Sequence, residues 1–310
     1  MIVNDGTAAS FLASIDLTER EATDAEVVFE GRAQYAPWPK AYGGDTVAQA
    51  LAAATSTVAP DREMHSFHAY FVRPVEINAT TTHRVGVQRD GRGFSTRTVS
   101  SEQDGRETFS AIVSFAVDQG DDRFAAEPSL PLGDPDALPS AAEALAAAGA
   151  KGSAADYWSL GRSFDHRHDP SPVYLESTGS TGAQVVWVRA LSTIPTDRRT
   201  QQLALAYVCD YTILEPSLRV HGLPWNTPGL VTASLDHSMW FHRPADLNDW
   251  VAYVQEPISV QGGRGLSSGR FYSRDGVLLA TVMQEGMLRR PAEPATESPT
   301  TPTKESSHAE

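Results

Sequence analysis

The spacing of apolar positions predicts the same order of elements in each half of the chain. In the first half, helical spacing over 46–58 is followed by strand-like runs at 65–72, 80–90, 94–102 and 108–117. In the second half, helical spacing over 199–214 is followed by strand-like runs at 230–242, 250–259, 266–273 and 277–289. A helix followed by an antiparallel meander is typical of an α+β unit whose sheet wraps around the helix. The chain is therefore predicted to contain two such units.

Matching short motifs support a duplication of one ancestral unit. The motifs are an aromatic pair shortly before Arg-Pro, an Arg-Gly pair shortly before Ser, and an Asp-Gly pair typical of hairpin turns. They recur in the same order at 70–74 and 240–244, at 92–95 and 264–267, and at 104–105 and 275–276. A constant order at an offset of about 171 residues indicates two copies of one fold rather than a solenoid.

The repeat divides the chain into two units and three other segments. We predict an N-terminal segment 1–24, a first unit 25–118, a connector 119–183, a second unit 184–290 and a disordered tail 291–310. The connector is rich in proline and acidic residues, and its Ala-rich stretch predicts one short helix. The tail has no large apolar side chain, so it cannot bury enough surface to offset the loss of chain entropy on folding.

Composition and charge narrow the class of protein. Hydrophobic residues make up 41% and charged residues 21% of the chain, which is typical of a soluble globular protein. The formal net charge of −14 disfavours nucleic acid and anionic membrane as partners, because the field repels phosphate. The single cysteine, Cys209, excludes an intrachain disulfide. Because we also find neither a secretory leader nor an apolar run of about 18 residues, we predict a cytoplasmic protein.

Three polar residues of the second unit lie among apolar neighbours. Asp210 shares the apolar face of the predicted helix, and burial there would raise its pKa and make it a useful general base. Ser234 lies in the next strand-like run, and Gln284 lies on an apolar face of the last. A carboxylate, a hydroxyl and a carboxamide around one water would orient the water and accept its proton. The alternatives are a structural role for Asp210 and a cross-strand hydrogen bond for Ser234.

The duplication offers an internal comparison for these residues. By the motif offsets, Ser234 corresponds to Met64 and Gln284 to Val113. Polar residues in one copy where the other has apolar residues indicate a specialised site in the second unit. The first unit carries Asp45 at a helix start, which we interpret as a capping or dipole-stabilising residue.

Other motifs do not predict a different chemistry. Residues 265–269 match G-x-S-x-G, but a strand and a turn follow where a nucleophile elbow requires a helix. The histidine pairs at 65/68 and 166/168 lack the partners typical of a zinc site, and Cys209 has no basic neighbour in sequence to activate its thiol. We therefore expect neither a metal ion nor a cofactor.

Four sequence blocks carry a family resemblance. They are Gly-Gly-Asp-Thr at 43–46, His-Ser-Phe-His-Ala-Tyr-Phe-Val-Arg-Pro at 65–74, Asp-His-Ser-Met-Trp-Phe-His-Arg-Pro at 236–244 and Gln-Glu-Gly at 284–286. Together they resemble the type II acyl-CoA thioesterases over about 25–290. The family's fold implies two hotdog units joined into one continuous sheet. Its catalytic trio implies catalytic roles for Asp210, Ser234 and Gln284.

The resemblance implies hydrolysis of fatty acyl-CoA to a fatty acid and CoA, with Asp210 as the base. Acyl-CoA is then the expected partner, and assembly as a homodimer or larger homo-oligomer is implied. Arg92, Arg264 and the adjacent Gly265 are candidate substrate-binding residues, because the CoA phosphates need local cations. A non-catalytic acyl-CoA-binding double hotdog and a hotdog enoyl-CoA hydratase, which needs an Asp/His pair, are the alternatives. Fold alone does not separate these functions.

Overall fold

The computed structural model of the chain describes residues 6–77, 79–118, 120, 124–174, 176–177 and 181–289. The tail predicted at 291–310 lies outside the described residues. Within the described ranges, no helix has the length and apolar character needed to traverse a lipid bilayer.

The described part of the chain forms short and medium helices together with the strands of one sheet. The helices are α1 (Ala9–Ile15), α2 (Gly43–Ser56), α3 (Ala141–Ala147), α4 (Ser153–Leu160), α5 (Arg198–Val208) and α6 (Glu215–Val220). The strands are β1 (Thr18–Ala22), β2 (Glu26–Arg32), β3 (Glu63–Phe71), β4 (Thr80–Asp90), β5 (Phe94–Gln103), β6 (Arg106–Ala116), β7 (Phe164–Asp169), β8 (Gln184–Ala190), β9 (Val231–Ser234), β10 (Asp236–Phe241), β11 (Val251–Gln261), β12 (Arg264–Ser273) and β13 (Leu278–Arg289).

The strands that the structure describes belong to one antiparallel sheet. Its order is β1-β2-β4-β5-β6-β3-β10-β13-β12-β11-β8-β7, and β9 pairs with the end of β13. The two units meet where β3 pairs with β10, so that Phe67 lies opposite Met239. The prediction of two α+β units joined into a continuous sheet is therefore confirmed.

The largest apolar cluster lies between this sheet and the helices α2 and α5. Residues 44–55 of α2 are all buried, and the five alanines among them leave room for a close neighbour. The two helices approach so closely that a Cβ added to Gly44 would overlap the backbone carbonyl of Tyr207 and the ring of Tyr42. Tyr42 donates its hydroxyl to the same carbonyl at 2.5 Å. Glycine is thus required where α2 begins.

The second predicted helix ends earlier than its apolar pattern indicates. Helix α5 ends at Val208, residues 209–214 form turns, and α6 starts at Glu215. Pro216 lacks the N–H that a continuous helix would donate to residue 212, and it lies instead in the first turn of a new helix. The prediction that Asp210 lies within a helix is therefore wrong, since it occupies the turn directly after α5.

Two other segments also differ from the predicted elements. The strand-like run 230–242 is interrupted at Leu235, which separates β9 from β10. The segment predicted as a connector with one short helix contains α3, α4 and β7, and β7 pairs with β8 at the edge of the sheet. Ser140 and Glu143 form a reciprocal capping box at the start of α3, which explains why a helix begins there.

We expect Gly44→Ala to lower the free energy of unfolding by roughly 1–3 kcal/mol, because the added methyl overpacks the contact between α2 and α5. Urea denaturation followed by circular dichroism measures the change. The control is Gly91→Ala, in the turn between β4 and β5, where a Cβ would meet its nearest atom at 3.2 Å and the loss should stay below about 1 kcal/mol. Equal stability of Gly44→Ala and wild type would contradict the close approach.

Candidate active site

The structure brings Asp210, Ser234 and Gln284 together. They come from the turn after α5, the end of β9 and the middle of β13. Asp210 Oδ1 accepts hydrogen bonds from Ser234 Oγ at 2.8 Å and from Gln284 Nε2 at 2.6 Å. Gln284 Nε2 also lies 3.0 Å from Ser234 Oγ. Three separate elements therefore contribute one polar side chain each to a single group of contacts.

The start of α2 faces the carboxylate of Asp210. The backbone N–H of Gly44 donates to it, and a Cβ added to Gly43 would overlap Oδ2. Burial raises the pKa of Asp210; the donated hydrogen bonds and the positive charge of Lys40 oppose this rise but do not cancel it. A carboxyl group with a raised pKa is a stronger base once it is ionised.

His237, which the sequence analysis did not include in the site, orients Gln284. The His237 side chain is fully buried in β10, and burial lowers its pKa to about 4, so the ring is neutral at neutral pH. His237 Nδ1 lies 2.5 Å from Gln284 Oε1, and its Nε2 lies 3.2 Å from Cys209 Sγ. In the tautomer in which Nδ1 donates, the amide nitrogen of Gln284 must face Asp210. A histidine on the apolar face of a strand needs such a partner, and this was the signal available in the sequence.

Two neighbouring cavities adjoin these residues. The larger, here called the aromatic cavity, has a volume of about 590 Å³ and borders Asp210 and Ser234. Its aromatic walls are Trp38, Tyr42, Tyr157, Trp158, Tyr174, Tyr211 and Trp225. A smaller cavity of about 250 Å³ is lined by Phe71, Arg73 and Pro74 among others. Gly43, Lys40 and Ser234 line both cavities, so the two meet beside the polar trio.

The predicted substrate-binding residues lie elsewhere. Arg264 pairs with Glu285 at 3.0 Å on β12, and Arg92 lies in the turn between β4 and β5. A Cβ on Gly265 would overlap Ser217 of α6, which indicates a packing role. None of the three lines the aromatic cavity or the smaller one. The cations that do line them are Lys40, Arg73, Lys151 and Arg162.

The other motifs occupy structural positions. Ser267, from the G-x-S-x-G match, is buried in β12, with its Oγ 3.3 Å from Ser217 Oγ. Burial and the nearby Asp210 carboxylate raise the pKa of Cys209, so the thiol is not activated as a nucleophile. Across the described ranges, no group of three or more potential ligands could hold a metal ion.

Asp45 lies in the first turn of α2 but lines neither cavity. Its side chain is completely buried, and its Oδ2 accepts the backbone N–H of Gln34 at 2.8 Å. Burial raises the pKa of Asp45 to about 6 against the opposing effect of its hydrogen bonds. It is therefore a buried carboxyl group separate from the polar trio.

Comparisons with known proteins find similarity over most of the chain. Residues 161–287 match the family model described as acyl-CoA thioesterase, and residues 34–116 match the model of the acyl-CoA thioesterase N-terminal domain. The chain is 32% identical over 283 residues to acyl-CoA thioesterase 2 of Haemophilus influenzae, covering 89% of this chain and 96% of that protein. It is also 32% identical to human acyl-coenzyme A thioesterase 8, with 85% of each chain covered. The crystal structure of acyl-CoA thioesterase II TesB2 from Mycobacterium marinum superposes with a TM-score of 0.73 at 31% identity, over 90% of this chain and 98% of that one.

We expect Asp45→Asn to become more stable relative to wild type as the pH rises. The folded state holds a proton on Asp45 up to a pKa of about 6, against 3.8 as the ordinary value, so wild type loses stability as pH rises between these values and does not regain it above them. The asparagine carbonyl can still accept the N–H of Gln34. Between about pH 4 and pH 7, the free energy of unfolding of the variant relative to that of wild type should rise by up to about 3 kcal/mol. Urea denaturation at these two pH values measures this rise. A stability difference independent of pH would contradict a raised pKa of Asp45 in the folded state.

Proposed function

The chain belongs to the acyl-CoA thioesterase family and is a thioester hydrolase, and we propose that it hydrolyses fatty acyl-CoA with Asp210, Ser234 and Gln284 as its catalytic residues. The observation that carries this proposal is the hydrogen-bonded group around Asp210 Oδ1. Within this group, Asp210 lines the aromatic cavity and Ser234 lines both cavities. The aromatic cavity accommodates the acyl group, and the smaller cavity accommodates part of the CoA arm.

The proposed reaction begins with a water beside Ser234. Asp210 takes one proton from this water while the water oxygen attacks the thioester carbonyl carbon. Ser234 and Gln284 fix the water and the carboxylate relative to each other, which is the positioning that such an attack requires. The carbon–sulfur bond then breaks, and the departing CoA thiolate takes the proton from Asp210. The products are a free acid and CoA.

The start of α2 is well suited to stabilise the charge that develops on the carbonyl oxygen. Gly43 lines both cavities at the N-terminal end of a helix, where backbone N–H groups carry a partial positive charge. The absence of a side chain at Gly43 leaves room for the Asp210 carboxylate against this helix start, so a carbonyl oxygen bound here would lie beside the base.

The contacts favour hydrolysis over the hydratase alternative. A hydratase would need a histidine beside Asp210 as a second acid or base. His237 contacts Gln284 and Cys209 instead, and His242 lies 2.9 Å from Thr281 at an exposed position. The binding-only alternative is tested by turnover, because a protein that only binds acyl-CoA releases no free thiol. Assembly as a homodimer or larger stays a prediction.

We expect Asp210→Asn to lower kcat about 10²- to 10⁴-fold, because it removes the general base while retaining the shape of the side chain. Release of free thiol from a series of acyl-CoA substrates, detected with a thiol-reactive dye, measures the loss. Ser234→Ala and Gln284→Ala should give smaller losses, because the base remains. Asp45→Asn is the matched control, since it changes a buried carboxyl group outside both cavities and should hydrolyse like wild type. If Asp210→Asn hydrolyses as fast as wild type, Asp210 is not the base.

We also expect kcat/KM to fall in acid with an apparent pKa above the ordinary aspartate value. Asp210 must be ionised to accept a proton, and its pKa is raised by burial, so activity should rise with pH through that raised pKa. A profile for wild type between about pH 4 and pH 8 measures this, and the residual activity of Asp210→Asn should lack the acidic limb. An identical acidic limb in both proteins would assign it to another group.

A further inference from the structure

We infer that the aromatic cavity selects acyl groups that carry a carboxylate at the end remote from the thioester, and that Arg162 binds this carboxylate. The inference rests on the proposed thioesterase function and specifies its substrate class. It concerns a side chain that takes no part in the proposed chemistry.

Arg162 is a buried cation that forms no ion pair with a carboxylate among the described residues. It lies between the end of α4 and the start of β7, it is 2% exposed, and it lines the aromatic cavity. Its guanidinium carbon lies 5.1 Å from the ring centres of both Tyr174 and Tyr211. Nη2 donates to the hydroxyl of Tyr174 at 2.6 Å, whereas the buried Nε has no hydrogen-bond partner among the described residues.

A comparison with Arg97 shows what a structural buried arginine looks like in this protein. Arg97 is equally buried at 2% exposure, but it lies 3.0 Å from the carboxylate of Asp90 and donates to Thr57 as well. It lines neither cavity. Within the part of the chain that the structure describes, Arg162 has the same burial but no ion pair with a carboxylate, so its Nε remains available to a ligand.

The acidic side chain that shares the cavity wall, Glu215, is engaged by other groups. It accepts hydrogen bonds from Trp225 Nε1 at 3.0 Å and from Gln184 Nε2 at 2.9 Å, and His168 Nε2 lies 3.2 Å away. These contacts satisfy the charge of Glu215 within the protein. Among the described residues, Arg162 Nε therefore remains a buried donor on this wall without an acceptor.

The other residues that line the aromatic cavity suit an acyl chain with a polar end better than a plain hydrocarbon chain. Among the described residues around the cavity, Leu214 is the one large aliphatic side chain, and the walls are mostly rings and alanines. A methyl end placed against Arg162 would exclude water from the guanidinium and give it no acceptor, which is costly. A carboxylate would accept two parallel hydrogen bonds from a guanidinium, the geometry for which arginine is suited.

The thioester site and Arg162 belong to the same cavity. Tyr211 directly follows Asp210 in the chain, and its ring stacks on Tyr42 at 3.8 Å while also facing the guanidinium. An acyl chain that starts at Asp210 can therefore reach Arg162 by passing the ring of Tyr211. The selectivity should consequently depend on chain length and be greatest where the chain spans this ring.

The test compares matched pairs of thioesters in each protein. The pairs are the CoA monothioesters of hexanedioic, octanedioic and decanedioic acids, each against the saturated monocarboxylic acyl-CoA of equal length. The measured quantity is the ratio of kcat/KM within a pair, which is insensitive to the fraction of folded protein. We expect wild type to favour the carboxylated member for at least one length, and Arg162→Met to lower that ratio roughly ten- to hundredfold. Arg162→Lys should retain part of the preference, and Arg97→Met should leave the ratio unchanged even if it lowers stability.

The outcomes separate this inference from the proposed function. If wild type hydrolyses the plain acyl-CoAs but never favours a carboxylated one, or if Arg162→Met keeps the wild-type ratio, the inference is overturned and the thioesterase function stands. If no thioester of either kind is hydrolysed, the proposed function fails. Calorimetric titration with octanedioate and octanoate then decides the inference directly, because tighter octanedioate binding that is lost in Arg162→Met supports it and equal binding overturns it.

Discussion

The contact between the start of α2 and the end of α5 is the interaction on which the candidate site depends. A buried carboxylate is tolerated only where donors reach it, and the Gly44 N–H reaches Asp210 because neither Gly43 nor Gly44 carries a side chain. The hydrogen bond from Tyr42 to the carbonyl of Tyr207 holds the two helices at that separation. Small residues, which carry little periodic signal in a sequence, therefore set the position of the Asp210 carboxylate.

The two units differ at the point where Ser234 meets Asp210. The strand registers preserve the offsets of the duplicated motifs, since His68 lies opposite Ile112 in the first unit and Ser238 opposite Met283 in the second. In the first unit the pairing of β3 is irregular at 65, between Met64 and Ser66. In the second unit the equivalent position, Leu235, interrupts the strand. The same break in strand pairing therefore lies beside the buried Met64 in the first unit and beside Ser234, which contacts Asp210, in the second.

Sequence patterns predicted the repeated architecture and indicated the three residues of the trio. The physical basis of these predictions also explains which features could not be predicted. Alternation and turn signals are local, so the strands and hairpins of both units could be predicted, and Gln284 was identifiable because a carboxamide on an apolar face needs a partner. The end of α5 was missed because apolar spacing continues through the turn to Leu214, while the interruption depends on Pro216. The apolar strand face around His237 indicated that this side chain needs a partner. Which residues His237 and Arg162 contact could not be predicted, because Gln284 for the one, and Tyr174 and Tyr211 for the other, are brought to them by the fold.

The protein as a whole is strongly acidic, whereas several cations line the cavity beside Asp210. The net charge is −14 and the sequence has only three lysines, yet Lys40 and Lys151 line the aromatic cavity together with Arg162. Long-range repulsion between the protein and an anionic ligand is screened within about 10 Å at moderate salt, whereas a desolvated guanidinium acts at contact distance in a low dielectric. A buried cation that lacks an internal carboxylate weakens folding, and proteins keep such groups where function requires them. The contrast between Arg162 and the paired Arg97 therefore points to a ligand, rather than the fold, as the partner of Arg162.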